Sequence, residues 1–201
     1  MDMIILASGS PRRRELISSI FPEFTIIKSE KDEVVTKTKP DEIVNELSKQ
    51  KAIEVWDKAI GDNVITDDNS LLIAADTLVF LDGQRMGKPK DYDDAIDMLT
   101  KLSGNSHEVY TGVTLFYGNK DSYEEISFYE STRVFFYDIS KEDIKSYVDS
   151  KEPMDKAGAY AIQGGFAKHI KGIEGEYANV VGLPIARLYQ EIKKIGGILD
   201  V

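Results

Sequence analysis

Residues Leu71–Leu81 read LLIAADTLVFL. Apart from Asp76 and Thr77 the run is wholly apolar, as a strand buried on both faces at the centre of a helix-covered sheet requires. Asp82-Gly83 then signals a turn. Upstream, Met3–Ala7 (MIILA) reads as another buried strand and Phe24–Lys28 as a third. Between them Ser8-Gly9-Ser10 turns the chain, and Pro11 starts a helix capped by Ser10 that runs to about Ile20. Asp41 to about Ala59 is a helix with Val44, Leu47 and Val55 on one stripe, and Tyr92–Leu102 is a helix ending near Gly104. His107–Tyr117 and Tyr123–Tyr137 form a long hairpin around Gly118–Asp121. A short helix, Ser140–Asp149, a Gly-rich loop, Ala157–Gly165, and a closing helix, Pro184–Ile195, complete the chain. Early alternation of strand and helix, followed by a hairpin, predicts an α/β fold with a mixed sheet and flanking helices.

No composition shift marks a boundary, so residues 1–201 are expected to form one domain. The 25 Lys and Arg against 35 Asp and Glu leave a net charge of −10. Such a surface repels duplex nucleic acid and anionic membrane, so neither is an expected partner. An anionic ligand must be small and held by a local basic pocket. There are no cysteines, which excludes disulfides, thiol nucleophiles and Cys-based zinc sites. The two histidines, His107 and His169, are far apart, which argues against His-rich metal sites and Ser-His-Asp catalysis. His107 is expected in a structural role and His169, near Lys168 and Lys171, at the surface. No stretch has the apolar length of a signal peptide or a membrane span, so a soluble, cytoplasmic protein is expected.

Several groups of residues carry chemistry. Arg12, Arg13 and Arg14 open the first helix, where cations are unfavourable unless an anion is near. Phosphate suits the guanidinium fork and the free N–H groups of a helix start; the competing reading is a solvated basic turn paired to Glu15. Lys51 falls on the apolar stripe of its helix, so its ammonium either snorkels outward or enters a pocket. Asp76 in its apolar strand must be paired, metal-bound or at an exposed strand end. The competing reading is an Asp that caps a neighbouring turn. Gly87-Lys88-Pro89 lacks the spacing and the Ser/Thr of a P-loop, which leaves Lys88 as a candidate phosphate contact. Gln163, in the Gly-rich loop, offers a donor and an acceptor to a nucleobase edge. Together these residues suggest a nucleotide polyphosphate site, with carboxylates as the natural ligands of Mg²⁺ or Mn²⁺.

The chain resembles the Maf family of nucleotide pyrophosphatases over nearly its whole length. The motifs are Leu6-Ala7-Ser8-Gly9-Ser10-Pro11-Arg12-Arg13-Arg14-Glu15-Leu16, Lys51-Ala52, Ala75-Asp76-Thr77, Gly87-Lys88-Pro89 and Leu102-Ser103-Gly104. His107-Glu108-Val109-Tyr110-Thr111-Gly112-Val113 and Asn179-Val180-Val181-Gly182-Leu183-Pro184 follow in the family's order. The resemblance implies hydrolysis of nucleoside triphosphates to a monophosphate and pyrophosphate. It also implies a divalent metal cofactor (Mg²⁺, Mn²⁺ or Co²⁺), a homodimer, and a curved mixed sheet with two lobes around a central cleft, similar to inosine triphosphate pyrophosphatase. On the matching positions, Ser8, Arg12, Arg13, Lys51 and Lys88 bind phosphate. Asp76 is the essential carboxylate, base and metal ligand, and Glu33, beside Asp32, is a second acid near the metal. Arg12, Thr77 and Gln163 bear on substrate choice.

The segment Asp155-Lys156-Ala157-Gly158-Ala159-Tyr160-Ala161-Ile162-Gln163-Gly164 is similar to that of the dTTP/UTP subgroup. The 7-methyl-GTP subgroup has a Cys-Ala-Gly-Ser-Phe type segment instead. Glu176 stands where Ser is usual. The expectation is therefore a dTTP/UTP pyrophosphatase in which water attacks the α-phosphorus. The alternatives are a 7-methyl-GTP pyrophosphatase and a non-catalytic nucleotide-binding regulator of cell division.

Overall fold

The computed structural model describes residues 3–195. Its strands are β1 (Met3–Leu6), β2 (Thr25–Ile26), β3 (Ser70–Leu81), β4 (Gln84–Met86), β5 (Ser106–Gly118), β6 (Tyr123–Phe136) and β7 (Ile170–Glu174). Its α-helices are α1 (Pro11–Ile17), α2 (Pro40–Gly61), α3 (Tyr92–Leu102), α4 (Lys141–Asp149), α5 (Tyr177–Val181) and α6 (Ile185–Lys194). The strands form a mixed sheet in the order β2-β1-β3-β5-β6-β7, with β4 paired to β3. β1 runs parallel to β2 and β3, whereas β4 is antiparallel to β3 and β7 to β6. The α/β class and the mixed sheet with flanking helices are those expected.

The chain divides into two compact units. The first holds residues 3–77, 111–130 and 182–195 of those described, and the second residues 78–110 and 131–181.

In the first unit the strand period of two sorts the core onto the two faces of the sheet. Ile4, Leu6, Leu71, Ile73 and Ala75 pack with Ile17 of α1 and Leu188 and Ile192 of α6. Ile5, Ala7, Leu72 and Ala74 pack with Ala52, Val55, Trp56 and Ala59 of α2. The register Ile5↔Leu72 and Leu6↔Ile73 keeps the two sets apart. A one-residue slip would exchange them, so the register is strongly specified.

In the second unit, rings build the core. Phe136 stacks on His107 at 5.2 Å and meets Tyr160 and Phe166 edge-on at 5.0 and 5.4 Å. α3 and α4 pack together beside it. The Asp82-Gly83 turn joins β3 to β4, both residues at positive φ (49° and 74°) as a two-residue hairpin demands.

Differences from the sequence reading have local causes. α1 ends at Ile17 rather than near Ile20. The Ser18 hydroxyl bonds back to the Arg14 carbonyl at 2.7 Å, and three-residue turns close the segment at Ser19 and Ile20. β2 keeps only Thr25–Ile26 because among the described strands it pairs with β1 alone, whose own run ends at Leu6. β4, β7 and α5 are too short to show a period. His169 is not at the surface: it is 9% exposed and lies 5.0 Å from the Phe166 ring. The 3₁₀ turn Ala167–His169 swings its side chain inward while Lys168 stays out.

Among the described residues no helix is long and apolar enough to cross a membrane.

Candidate active site

The site in the first unit follows from strand parity. Asp76 continues the set Leu72, Ala74 that faces α2, and Thr77 continues the set Ile73, Ala75 on the opposite face. Both lie beyond the last β1 partner, Ile73, where β1 has already turned into the Ser8–Ser10 loop. A polar pair in an apolar strand thus reaches the open end of the parallel strands, where ligands of α/β sheets collect.

α2 brings Lys51 to Asp76. The helix lies flush on β5 because Gly112 has no side chain; a Cβ there would stand 2.3 Å from the Val44 carbonyl. One turn on, the Ser48 hydroxyl bonds Thr114 at 2.9 Å. Three residues later the Lys51 ammonium donates to Asp76 Oδ1 and pairs with Glu33 Oε1 at 2.9 Å. The stripe position of Lys51 is therefore a pocket position. Its side chain is 16% exposed and that of Asp76 10%, so each charge depends on the other; removing one partner of such a pair costs about 3–5 kcal/mol. The second oxygen, Asp76 Oδ2, is buried and has no hydrogen-bond partner among the described residues.

Arg13 serves the opposite face. Ser10 caps α1 by accepting from the Arg13 N–H, and the guanidinium turns back over the loop. Its Nε donates to the Gly182 carbonyl at 2.7 Å, Nη1 to Ser8 Oγ at 3.3 Å and Nη2 to Thr77 Oγ1 at 3.0 Å. Of five N–H donors, two remain for a ligand. Burial draws the Arg13 pKa down, against which Asp76 pushes it up; a guanidinium stays charged throughout the working pH range. Ser8 also accepts from the Ser10 N–H at 3.2 Å. Arg12, half-buried on the same turn, has no ion-pair partner among the described residues. Lys28 lays its stem across Gly9, where a Cβ would meet its Cε at 2.9 Å. Ser8, Arg12, Arg13, Lys51, Asp76, Thr77 and Glu33 all belong to this unit.

Lys88 and Gln163 belong to the second unit. Both are exposed. The Gly158 N–H donates to the Gly87 carbonyl at 3.0 Å, which ties the Gly-rich loop to the turn carrying Lys88. Tyr160 of that loop bonds His107 Nε2 at 2.7 Å inside the aromatic core. Burial pushes the His107 pKa down to about 4 and the Tyr160 pKa upward.

Sequence reasoning missed three contributors. The Gly182 carbonyl carries no side-chain signature. Thr111, 2.9 Å from Thr77 Oγ1, sits in a strand where threonine is ordinary. Glu54, 9% exposed, stands seven residues after Leu47, so the same helical spacing that exposed Lys51 pointed to it. Among the described residues no group of three or more Asp, Glu or His side chains converges. Among the described residues, Asp76 and Glu33 are the carboxylates that pair with Lys51.

Residues 3–195 match the family described as Maf-like protein. A dTTP/UTP pyrophosphatase of Agathobacter rectalis is 50% identical, the match covering 98% of each chain. Another so named, from Carboxydothermus hydrogenoformans, is 51% identical over 96% of this chain and 98% of its own. A third, from Lachnoclostridium phytofermentans, is 49% identical over 98% and 96%. Among solved structures, a HAM1 protein from Coxiella burnetii aligns with a TM-score of 0.49 at 14% identity, covering 96% of this chain and 100% of that one.

Proposed function

This chain belongs to the Maf family, and on that premise we propose that it hydrolyses dTTP and UTP to the nucleoside monophosphate and pyrophosphate. The observation that carries the reading is the divided carboxylate of Asp76. Lys51 holds Oδ1, while Oδ2 is buried and, among the described residues, without a partner. That arrangement fixes the carboxylate and leaves one oxygen to take a proton from water. Arg13, anchored through three donors with two to spare, is a preorganised phosphate fork. Arg12 and Ser8 extend it, and Lys51 adds positive charge beside the carboxylate.

In this reading water attacks the α-phosphorus and gives its proton to Asp76 Oδ2. The bond from the α-phosphorus to the bridging oxygen breaks, and pyrophosphate leaves with the electron pair. Arg12, Arg13, Lys51 and Lys88 offset the charge of the triphosphate and of the leaving group. Gln163 reads the pyrimidine edge, and Thr77 and Arg12 contribute to substrate choice.

The residues present also fit a divalent cation. Asp76 and Glu33 are two hard-oxygen carboxylates on the same lysine. Two carboxylates plus substrate phosphates are what Mg²⁺ and Mn²⁺ use in phosphoryl chemistry. Asp76 and Glu33 would hold the ion, which would neutralise phosphate charge when bound. A cytoplasmic homodimer belongs to the same reading, and light scattering tests the dimer.

The test is pyrophosphate release from dTTP, UTP, CTP, ITP and 7-methyl-GTP with Mg²⁺, Mn²⁺ or Co²⁺. Turnover of dTTP and UTP well above 7-methyl-GTP is expected. A preference for 7-methyl-GTP would overturn the substrate assignment, and no turnover of any nucleotide would leave a binding protein.

A further inference from the structure

Residues 27–39 contain neither helix nor strand, and residues 30–39 are exposed. Yet one face of α2 grips their backbone. Glu46, Gln50 and Glu54 stand four residues apart, one above another on the helix surface. Glu54 Oε1 accepts from the backbone N–H groups of Glu30 and Lys31 at 2.7 and 3.1 Å, and its Oε2 accepts the Ser29 hydroxyl. Gln50 accepts from the Val34 N–H at 3.0 Å and donates to the Val34 carbonyl at 2.6 Å. Glu46 accepts from the Thr36 N–H at 2.9 Å and from its hydroxyl at 2.5 Å.

Glu33 lies between the first two grips, and Lys51, its ion-pair partner, follows Gln50 in sequence. The helix turn that supplies the ammonium thus also holds the backbone on both sides of the carboxylate. Glu54 is the anomaly. It is 9% exposed, next to the buried Val55 and Trp56, where an apolar residue would favour folding. Burial alone would raise its pKa; the Ser29, Glu30 and Lys31 donors outweigh that and bring it below the ordinary value. Desolvating a carboxylate is costly. Here both of its oxygens are used to anchor an otherwise exposed loop.

We propose that Glu54 is a positioning residue for Glu33: it anchors residues 29–31 so that the Glu33 carboxylate stands beside Lys51 and Asp76. Gln50 provides the matching anchor on the other side, at Val34. The inference rests on the function proposed above, since it gives Glu33 a part in turnover.

The experiment is a double-mutant cycle on dTTP turnover with Glu54→Ala, Glu33→Ala and the double variant, alongside hydrogen exchange at residues 29–34. Glu54→Ala should lower kcat about tenfold, change KM less than threefold and speed amide exchange at Glu30 and Lys31. In the Glu33→Ala background the same change should cost less than twofold. Glu54→Gln keeps one acceptor oxygen and should recover at least half of the lost rate. Gln50→Ala, a milder variant, should lower kcat about threefold with the same dependence on Glu33.

An equal loss with and without Glu33 would overturn the proposal by making Glu54 merely structural. So would exchange that rises at Glu30 and Lys31 while kcat stays within twofold. If Glu33→Ala itself has full turnover, Glu33 has no part to be positioned for and the proposal falls. A wild type without turnover of any nucleotide would instead refute the proposed function, and this role with it.

Discussion

The two units hold their candidate residues in opposite ways. In the first, the side chains themselves are wired together: Lys51 to Asp76 and Glu33, Arg13 to Ser8, Thr77 and the Gly182 carbonyl. In the second, Lys88 and Gln163 are exposed, and what is fixed is chain near them, through the Gly158–Gly87 bond and the buried Tyr160–His107 pair. Groups that act on the reacting phosphorus need a geometry set before the substrate arrives. Groups that contact other parts of a nucleotide need only be presented on a firm support and can adjust on binding. On this account Asp76 and its partners in the first unit govern kcat, while Lys88 and Gln163 in the second govern KM and share base choice with Arg12 and Thr77.

Substitutions should separate the two along those lines. The largest effect belongs to Asp76→Asn, which keeps the shape of the side chain and removes the base. Its kcat for dTTP should fall about 10³-fold, within the range of a general base, while calorimetry still detects bound dTTP. A kcat within tenfold of wild type would dissolve the contrast between the units.

Next comes the support of the second unit. His107 prefers the neutral form in the fold, with a pKa pushed down to about 4 by burial. Unfolded, it protonates near 6.5. As pH falls from 6.5 towards 4 the unfolded state gains a proton that the folded state refuses, so stability is lost in that window and levels off below it. At ~1.4 kcal/mol per pH unit the loss is about 3 kcal/mol. Urea unfolding of wild type and His107→Phe at pH 7.5 and pH 4 measures it: the difference between the two proteins should shift by that amount. Parallel pH dependences would mean that His107 is not the group responsible.

Lys88→Ala removes one charge-assisted contact and should raise KM for dTTP about tenfold and lower kcat by a smaller factor. No change in either would take Lys88 out of the site. The smallest effect is expected of Gln163→Ala: the ratio of kcat/KM for dTTP to that for ITP should fall about fivefold, as loss of one or two neutral hydrogen bonds implies. An unchanged ratio would place base reading elsewhere.

Much of this was legible in the sequence, for a physical reason in each case. Asp76 stood out because a carboxylate in an apolar strand needs an explanation, and strand parity then separates its face from that of Thr77. Lys51 stood out because it broke an apolar stripe. α3 was legible from Tyr92 to Leu102 because it has an Asp cap at its start and Gly104 at positive φ beyond its end. What stayed hidden was made by distant backbone and by short elements. The Gly182 carbonyl that orients Arg13 lies 169 residues away in sequence. The grip of Glu54 on residues 29–31 depends on a loop path that has no period to read. His169 looked exposed because its neighbours are lysines, yet a single 3₁₀ turn buries it.

The central claim is that water attacks the α-phosphorus in the pocket around Asp76. Hydrolysis of dTTP in ¹⁸O-labelled water, with mass analysis of both products, tests it most directly. The account predicts one ¹⁸O in thymidine monophosphate, none in pyrophosphate, and almost no product from Asp76→Asn. Label in pyrophosphate, or release of single phosphates, would contradict it.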